Sequence, residues 1–243
     1  MITGPLFKWF GSKWSTSKHY PAPKHDYIVE PFAGGAGYSL RHHERKVILA
    51  ENNKSIYVLW KWLIEEASEN AIREIPVDIP IGTDIRSMGL SDGQALLLKN
   101  WQRTNNISDG PGTWAVSKWG NLPGQWTANT RARVASEFHH VRHWRIMTDG
   151  VSVMKDVGDS VTWFVDPPYM YNYRYGCSSF DYKELGNLIS DLNGQIIVCE
   201  AVCQKTGARP VWLPFADFRR TVTSRRKATD NHHSRELIYV IER

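Results

Sequence analysis

Two kinds of hydrophobic pattern alternate along this chain. Short continuous apolar runs end at Gly, Pro or acidic residues, and between them apolar positions recur at helical spacing. The runs Tyr27–Phe32, Lys46–Ala50, Val151–Met154, Val161–Val165, Gln195–Cys199 and Leu237–Ile241 predict strands. Ile56, Leu59, Trp60, Leu63 and Ile64 predict an amphipathic helix over Ile56–Ala67. Further helices are predicted from Tyr38 to His43, over Ser91–Trp101, over Arg131–Trp144 and over Tyr182–Leu192. Strands alternating with helices predict an α/β chain with a Rossmann-like sheet. The basic stretch Thr221–Arg235 precedes the last strand as the loop of a final hairpin.

The pattern breaks between about Asn70 and Val153, where Pro76, Pro80, Gly82, Gly89, Gly93, Gly110, Gly112, Gly120, Pro123 and Gly124 interrupt it. A loop there carries Trp114, Trp119 and Trp126 among Ser, Asn, Gly and Pro. Such tryptophans suit stacking on nucleic-acid bases, and equally the small core of an irregular insertion. No repeat, low-complexity tract or interdomain linker is visible.

A length of 243 residues fits one large domain, or one domain with a sizeable insertion. No apolar run approaches the roughly 20 residues that span a bilayer. Met1–Trp14 lacks a signal-peptide core, so the expected location is cytoplasmic. Cys177, Cys199 and Cys203 are too few and too unevenly spaced for a disulfide framework or a zinc site, and are expected to be free thiols.

The formal charge of +5 is clustered. Trp101–Arg145 holds six basic and two acidic residues, +4, and Arg219–Arg235 holds six and one, +5. The remainder is therefore net acidic. Clustered basic charge is what a phosphate-binding surface requires, and a solvated basic face would look the same. His139 and His143 have the spacing of a helical zinc pair but lack the glutamate of the H-E-x-x-H pattern, so no metal is expected.

Chemistry is concentrated at four places. In Thr162–Tyr169 an apolar strand is stopped by Pro167 and Pro168, which leaves Asp166 before a rigid corner and the ring of Tyr169 after it. A carboxylate, the Pro167 carbonyl and an aromatic face suit a planar group with an exocyclic amine, and equally a plain proline turn with a solvated Asp166 and a packed Tyr169. Upstream, Ala33-Gly34-Gly35-Ala36-Gly37 lies between a strand and a helix, where glycines let the backbone pass close to a ligand. It lacks the G-x-G-x-x-G spacing, so a nucleoside without phosphate fits as well as a nucleotide. Glu51, at the tip of the second strand, occupies the place where doubly wound folds grip a ribose diol. Lys8–Trp14 is a compact basic and aromatic loop.

Taken in order, these elements resemble those of the Dam-type DNA adenine-N6 methyltransferases, especially the compact phage forms. Lys8-Trp9-Phe10-Gly11-Ser12-Lys13 is similar to that family's N-terminal K-W-x-G-x-K element, and Glu30–Gly35 to its glycine-rich loop for S-adenosylmethionine. Glu51 matches its ribose-binding acid, and Asp166-Pro167-Pro168-Tyr169 its catalytic D-P-P-Y. The likeness covers residues 5–65 and 150–243, and is poor over about 70–150. It implies a Rossmann-like methyltransferase sheet over 1–68 and 150–243, with a mostly helical target-recognition insertion over 69–149.

The resemblance further implies S-adenosylmethionine held by Trp9, Lys13, Phe32, Ala33, Gly34, Gly35, Glu51, Asp156 and Asp166, with Asp156 on the strand before the corner and beside the cofactor's adenine. The partner is double-stranded DNA, bound by a monomer or weak dimer. Lys13, Arg103, Trp114, Lys118, Trp119, Trp126, Arg131, Arg133, Arg225, Arg226 and Lys227 are the candidate DNA contacts. The target adenine would be flipped out of the duplex and stacked on Tyr169. If phage-encoded, the enzyme would work in the bacterial host's cytoplasm. N4-cytosine methylation, RNA N6-adenine methylation and a catalytically idle DNA-binding relative remain as alternatives.

Overall fold

The computed structural model describes residues 1–102, 126–170, 181–201, 210, 212, 220–223 and 235–243. The strands are β1 (Tyr27–Glu30), β2 (Lys46–Ala50), β3 (Arg145–Met147), β4 (Val161–Val165), β5 (Gln195–Ala201), β6 (Arg220–Thr223) and β7 (Arg235–Glu242). They form one sheet in the order β3-β2-β1-β4-β5-β7-β6. The five from β3 to β5 are parallel, and β7 runs antiparallel between β5 and β6. The expected closing hairpin is thus present as β6 and β7, with residues 224–234 outside the described part. The α/β sheet is compatible with a Rossmann-like fold.

Alternation along each strand divides the core into two layers. Ile28, Leu49, Phe164 and Ile197 point into one cluster, and their neighbours Val29, Ile48, Trp163 and Ile196 into the other. The helices α1 (Lys54–Lys61), α2 (Glu69–Arg73), α3 (Asp92–Gln102) and α4 (Ala128–Glu137) supply Trp60, Ile72, Leu98 and Val134 to the first layer. On the second, α5 (Gly150–Asp156) and α6 (Tyr182–Asp191) supply Val153 and Ile189. With both faces covered, all five residues of β4 are buried, which is why its sequence shows an unbroken apolar run.

Several elements differ from expectation. Val151–Met154 is helical, not a strand: the Asp149 side chain accepts from the Val151 amide and caps α5. The predicted Ile56–Ala67 helix is α1, capped by Asn53, followed by a π turn over Trp62–Glu66. The helix expected over Arg131–Trp144 ends at Glu137 and gives way to a 3-10 turn, Phe138–Val141. Tyr38–His43 forms only the 3-10 turn Ser39–His42. The three residues of β3 are too short and too exposed to register as a strand in sequence.

β3 belongs to the sheet, so the expected insertion boundary at 149 falls inside the α/β layer. The buried residues of α3 and α4 share the core of β1 and β2, and no separate core is delimited over 69–149 among the described residues. Residues 103–125, the middle of the expected insertion, lie outside them. No described helix is long and apolar enough to cross a membrane.

Candidate active site at the switch between β1 and β4

β1 pairs with β2 on one side and β4 on the other, so the connections leave it in opposite directions and open a crevice at the C-terminal strand ends. A cavity of about 340 Å³ occupies this crevice, lined by residues 9–13, 30–37, 51–53, 164 and 166–168. The structure therefore brings the four sequence elements to one place. Trp9, Lys13, Phe32, Ala33, Gly34, Gly35, Glu51, Asp166, Pro167 and Pro168 all border the cavity. Tyr169 is half-buried beside it, packed on the core.

The glycine-rich loop is shaped by contacts of its own. Gly34 has φ +46°, and its amide donates to Glu51 Oε2 at 2.8 Å while its carbonyl accepts from the Trp60 indole at 2.8 Å. A Cβ on Gly34 would come within 2.9 Å of Trp9 Cδ1, and one on Gly37 within 2.3 Å of the Trp14 amide nitrogen. The close approach these glycines allow is thus to the N-terminal loop, which roofs the cavity. Beside Gly35, the Ser12 Oγ is buried with no hydrogen-bond partner among the described residues.

Glu51 sits one residue beyond β2. Its Oε1 accepts from the Asn53 amide at 2.8 Å, so backbone N–H groups hold both carboxylate oxygens at the cavity wall. Burial pushes its carboxyl above the ordinary value, and the amides offset part of that. Glu30, which ends β1, is buried with Oε1 accepting from the Ser39 amide at 2.8 Å, and desolvation pushes it up to about 8.

At the far wall, Lys13 Nζ donates to Asp166 Oδ2 at 2.6 Å and to the Gly11 carbonyl at 2.9 Å, and lies 5.0 Å from the centre of the Tyr169 ring. An amino group, carried on Lys13, thus lies between the carboxylate and the aromatic face.

Other expected contacts are placed elsewhere. Asp156 is the last residue of α5, exposed and away from the cavity wall, because the strand expected there is a helix. Trp126 is a core residue, 2% exposed, whose indole donates to the Pro76 carbonyl at 3.1 Å, so it is not free to stack on a base. Arg131 donates to the Ile75 carbonyl, and Arg133 pairs with Glu137 at 2.6 Å and caps the Pro5 carbonyl. Both guanidiniums tie α4 to neighbouring segments. Arg103, Trp114, Lys118, Trp119, Arg225, Arg226 and Lys227 lie outside the described residues, as do Cys177 and Cys203, while Cys199 is buried. His143 meets the Arg45 carbonyl at 2.9 Å, beyond the turn that carries His139.

Sequence reading passed over Glu200, which is fully buried near the end of β5. The signal was present: Glu30, Glu51, Asp166 and Glu200 each end an apolar run, and all four strands deliver a carboxylate to the same edge of the sheet. No family model matches the chain, and no curated protein matches it.

Proposed function

We propose that this protein is a DNA methyltransferase that transfers a methyl group from S-adenosylmethionine to N6 of a flipped-out adenine. The observation that carries the reading is the Lys13 amino group held between Asp166 and the Tyr169 ring, since the same two groups would receive an exocyclic amine. The cavity suits the cofactor in size and chemistry. Its volume of about 340 Å³ is within the ordinary range for ligand sites. Trp9 and Phe32 offer apolar walls, Glu51 two acceptors for ribose hydroxyls, and Ser12 a buried hydroxyl in need of a partner.

S-adenosylmethionine, when bound, supplies the methyl on a sulfonium sulfur, which keeps the electron pair of the broken C–S bond as N6 forms the new N–C bond. The chain's own part is positioning and electrostatics. Adenine N6 is a poor nucleophile because its lone pair is delocalised into the ring. Asp166 and the Pro167 carbonyl accept its two hydrogens and draw the nitrogen toward a tetrahedral geometry with a localised pair. Tyr169 stacks the base, and Asp166 Oδ2 takes up the proton the nitrogen sheds. For that, the Lys13 ammonium must leave the carboxylate. Apart from Arg131 and Arg133, which the fold engages, the basic residues of the two segments would supply the charge that duplex DNA requires.

The test is incubation of the purified protein with unmethylated plasmid and S-adenosylmethionine, followed by nucleoside mass spectrometry and base-resolution sequencing. N6-methyladenine that disappears with Asp166→Ala is the expected result. N4-methylcytosine would move the substrate to the other exocyclic amine, and methylated RNA alone would move it off DNA. Salt-dependent DNA binding with no modified base would leave an idle relative.

A further inference from the structure

Glu200 does not border the cavity, yet three N–H groups converge on its carboxylate. The Ala201 amide donates to Oε1 at 2.8 Å, and the Trp212 indole and the Met170 amide donate to Oε2 at 2.8 Å and 3.3 Å. Met170 directly follows Tyr169. On the other flank, the Pro168 carbonyl accepts from the Tyr182 hydroxyl at 2.9 Å. The Tyr182 and Trp212 rings lie 5.6 Å apart, tilted at 47°. The contacts thus close a circuit from Glu200 through Trp212 and Tyr182 to Pro168, and back from Met170. Tyr169 sits between the two pinned ends.

Packing alone gives no reason for a carboxylate here. A buried carboxylate whose donors among the described residues are all neutral is costly to keep, and an apolar or amide side chain would fill the space more cheaply. What the carboxylate adds is charge-assisted hydrogen bonds, short at Ala201 and Trp212 and longer, 3.3 Å, at Met170. Burial raises this group to about 7, and the three N–H donors hold it toward the charged form. Such a device fits a site whose reacting groups must be held within a fraction of an ångström.

We propose that Glu200 is a positioning residue that, through Met170 and through Trp212, Tyr182 and Pro168, holds the Tyr169 ring at the angle that receives the flipped base. The inference rests on the reading of Tyr169 as the stacking surface. It goes beyond that reading by assigning a task to a side chain outside the site.

The test is a double-mutant cycle, with turnover read as labelled methyl transferred to unmethylated plasmid. Glu200→Ala is expected to lower kcat by about 10²-fold, the typical cost of misplacing a reacting group by an ångström. Its affinity for S-adenosylmethionine, measured by calorimetry, is expected to stay that of the wild type. Glu200→Gln, which can present its carbonyl oxygen to Met170 and Trp212, is expected to recover about ten-fold over Ala. The deciding arm is Tyr169→Ala/Glu200→Ala, expected to be no slower than Tyr169→Ala alone. Losses that multiply in the double variant, or a kcat loss matched by weaker cofactor binding, would overturn the inference. Should Glu200→Ala fail to fold, Tyr182→Phe releases the Pro168 carbonyl and enters the same cycle. Wild-type transfer with multiplying losses sinks this inference alone, whereas no transfer by the wild type sinks the proposed function and this inference with it.

Discussion

Lys13 and Asp166, 153 residues apart in the chain, meet through a 2.6 Å ion pair at the wall of the cavity. The two side chains are 9% and 16% exposed, so the pair is mostly withdrawn from water. It holds the N-terminal loop against the end of β4 and closes the place where the proposed reaction occurs. Opening it is part of substrate entry in the proposed reaction.

The pair therefore has a measurable weight in stability. Lys13→Met removes the ammonium that faces the mostly buried Asp166 carboxylate, and is expected to destabilise the fold by about 3–5 kcal/mol. Adding Asp166→Asn removes the charge that the ammonium faced, so the double variant is expected to be more stable than Lys13→Met alone. Urea unfolding of Lys13→Met, Asp166→Asn and the double variant tests this. A double variant whose loss equals the sum of the singles would show that the two groups do not couple.

Glu51→Ala removes the acceptor that holds the Gly34 amide and the carboxylate proposed to bind the ribose. Hydrogen bonds to charged groups contribute about 1.5–3 kcal/mol, so S-adenosylmethionine is expected to bind about 10- to 100-fold more weakly. Titration calorimetry reads this directly. Equal affinity in wild type and variant would remove Glu51 from the cofactor site.

Two carboxyls give stability a pH dependence of definite sign. Burial raises Glu30 to about 8 and Glu200 to about 7, from a reference value of 4.5. Between that reference and the raised values, the folded chain binds more protons than the unfolded one, so stability falls as pH rises. The contribution is complete below the reference value and lost above about 8. The melting midpoint is expected to decline from about pH 5 to about pH 8.5, less steeply in Glu30→Gln. Parallel curves for wild type and variant would exclude Glu30 as the source.

Trp126 is a buried core residue whose indole is bonded to the Pro76 carbonyl. Trp126→Ala is expected to cost about 3–5 kcal/mol of stability, by loss of buried contacts and of the bond to Pro76. The sequence preference of any methyl transfer is expected to stay unchanged. A stable variant with an altered target site would return Trp126 to recognition.

The residues that line the cavity were legible in the sequence because their types are dictated locally. Two prolines must stop β4 after Asp166, and Gly34 stands where φ is +46°. Long buried runs such as β4 and β5 were legible for the same reason. Short elements were not. Val153 and Met154 read as a strand because four apolar-rich residues carry no period, and only the Asp149 cap and the packing on α6 make them helical. β3 owes its existence to pairing with β2.

Tertiary structure alone decided the partners. Composition places Trp126 in a loop of tryptophans, and burial assigns it to the core. Arg131 and Arg133 count as basic charge in the sequence, and three carbonyl or carboxylate acceptors claim them in the fold. Nothing local ties Glu200 to Met170, or Lys13 to Asp166, because those contacts depend on which segments the sheet brings together. The sequence by itself determined which chemical groups the sheet edge carries. The strand order β2-β1-β4-β5 decided which of them meet, because ends of adjacent strands lie only about 5 Å apart.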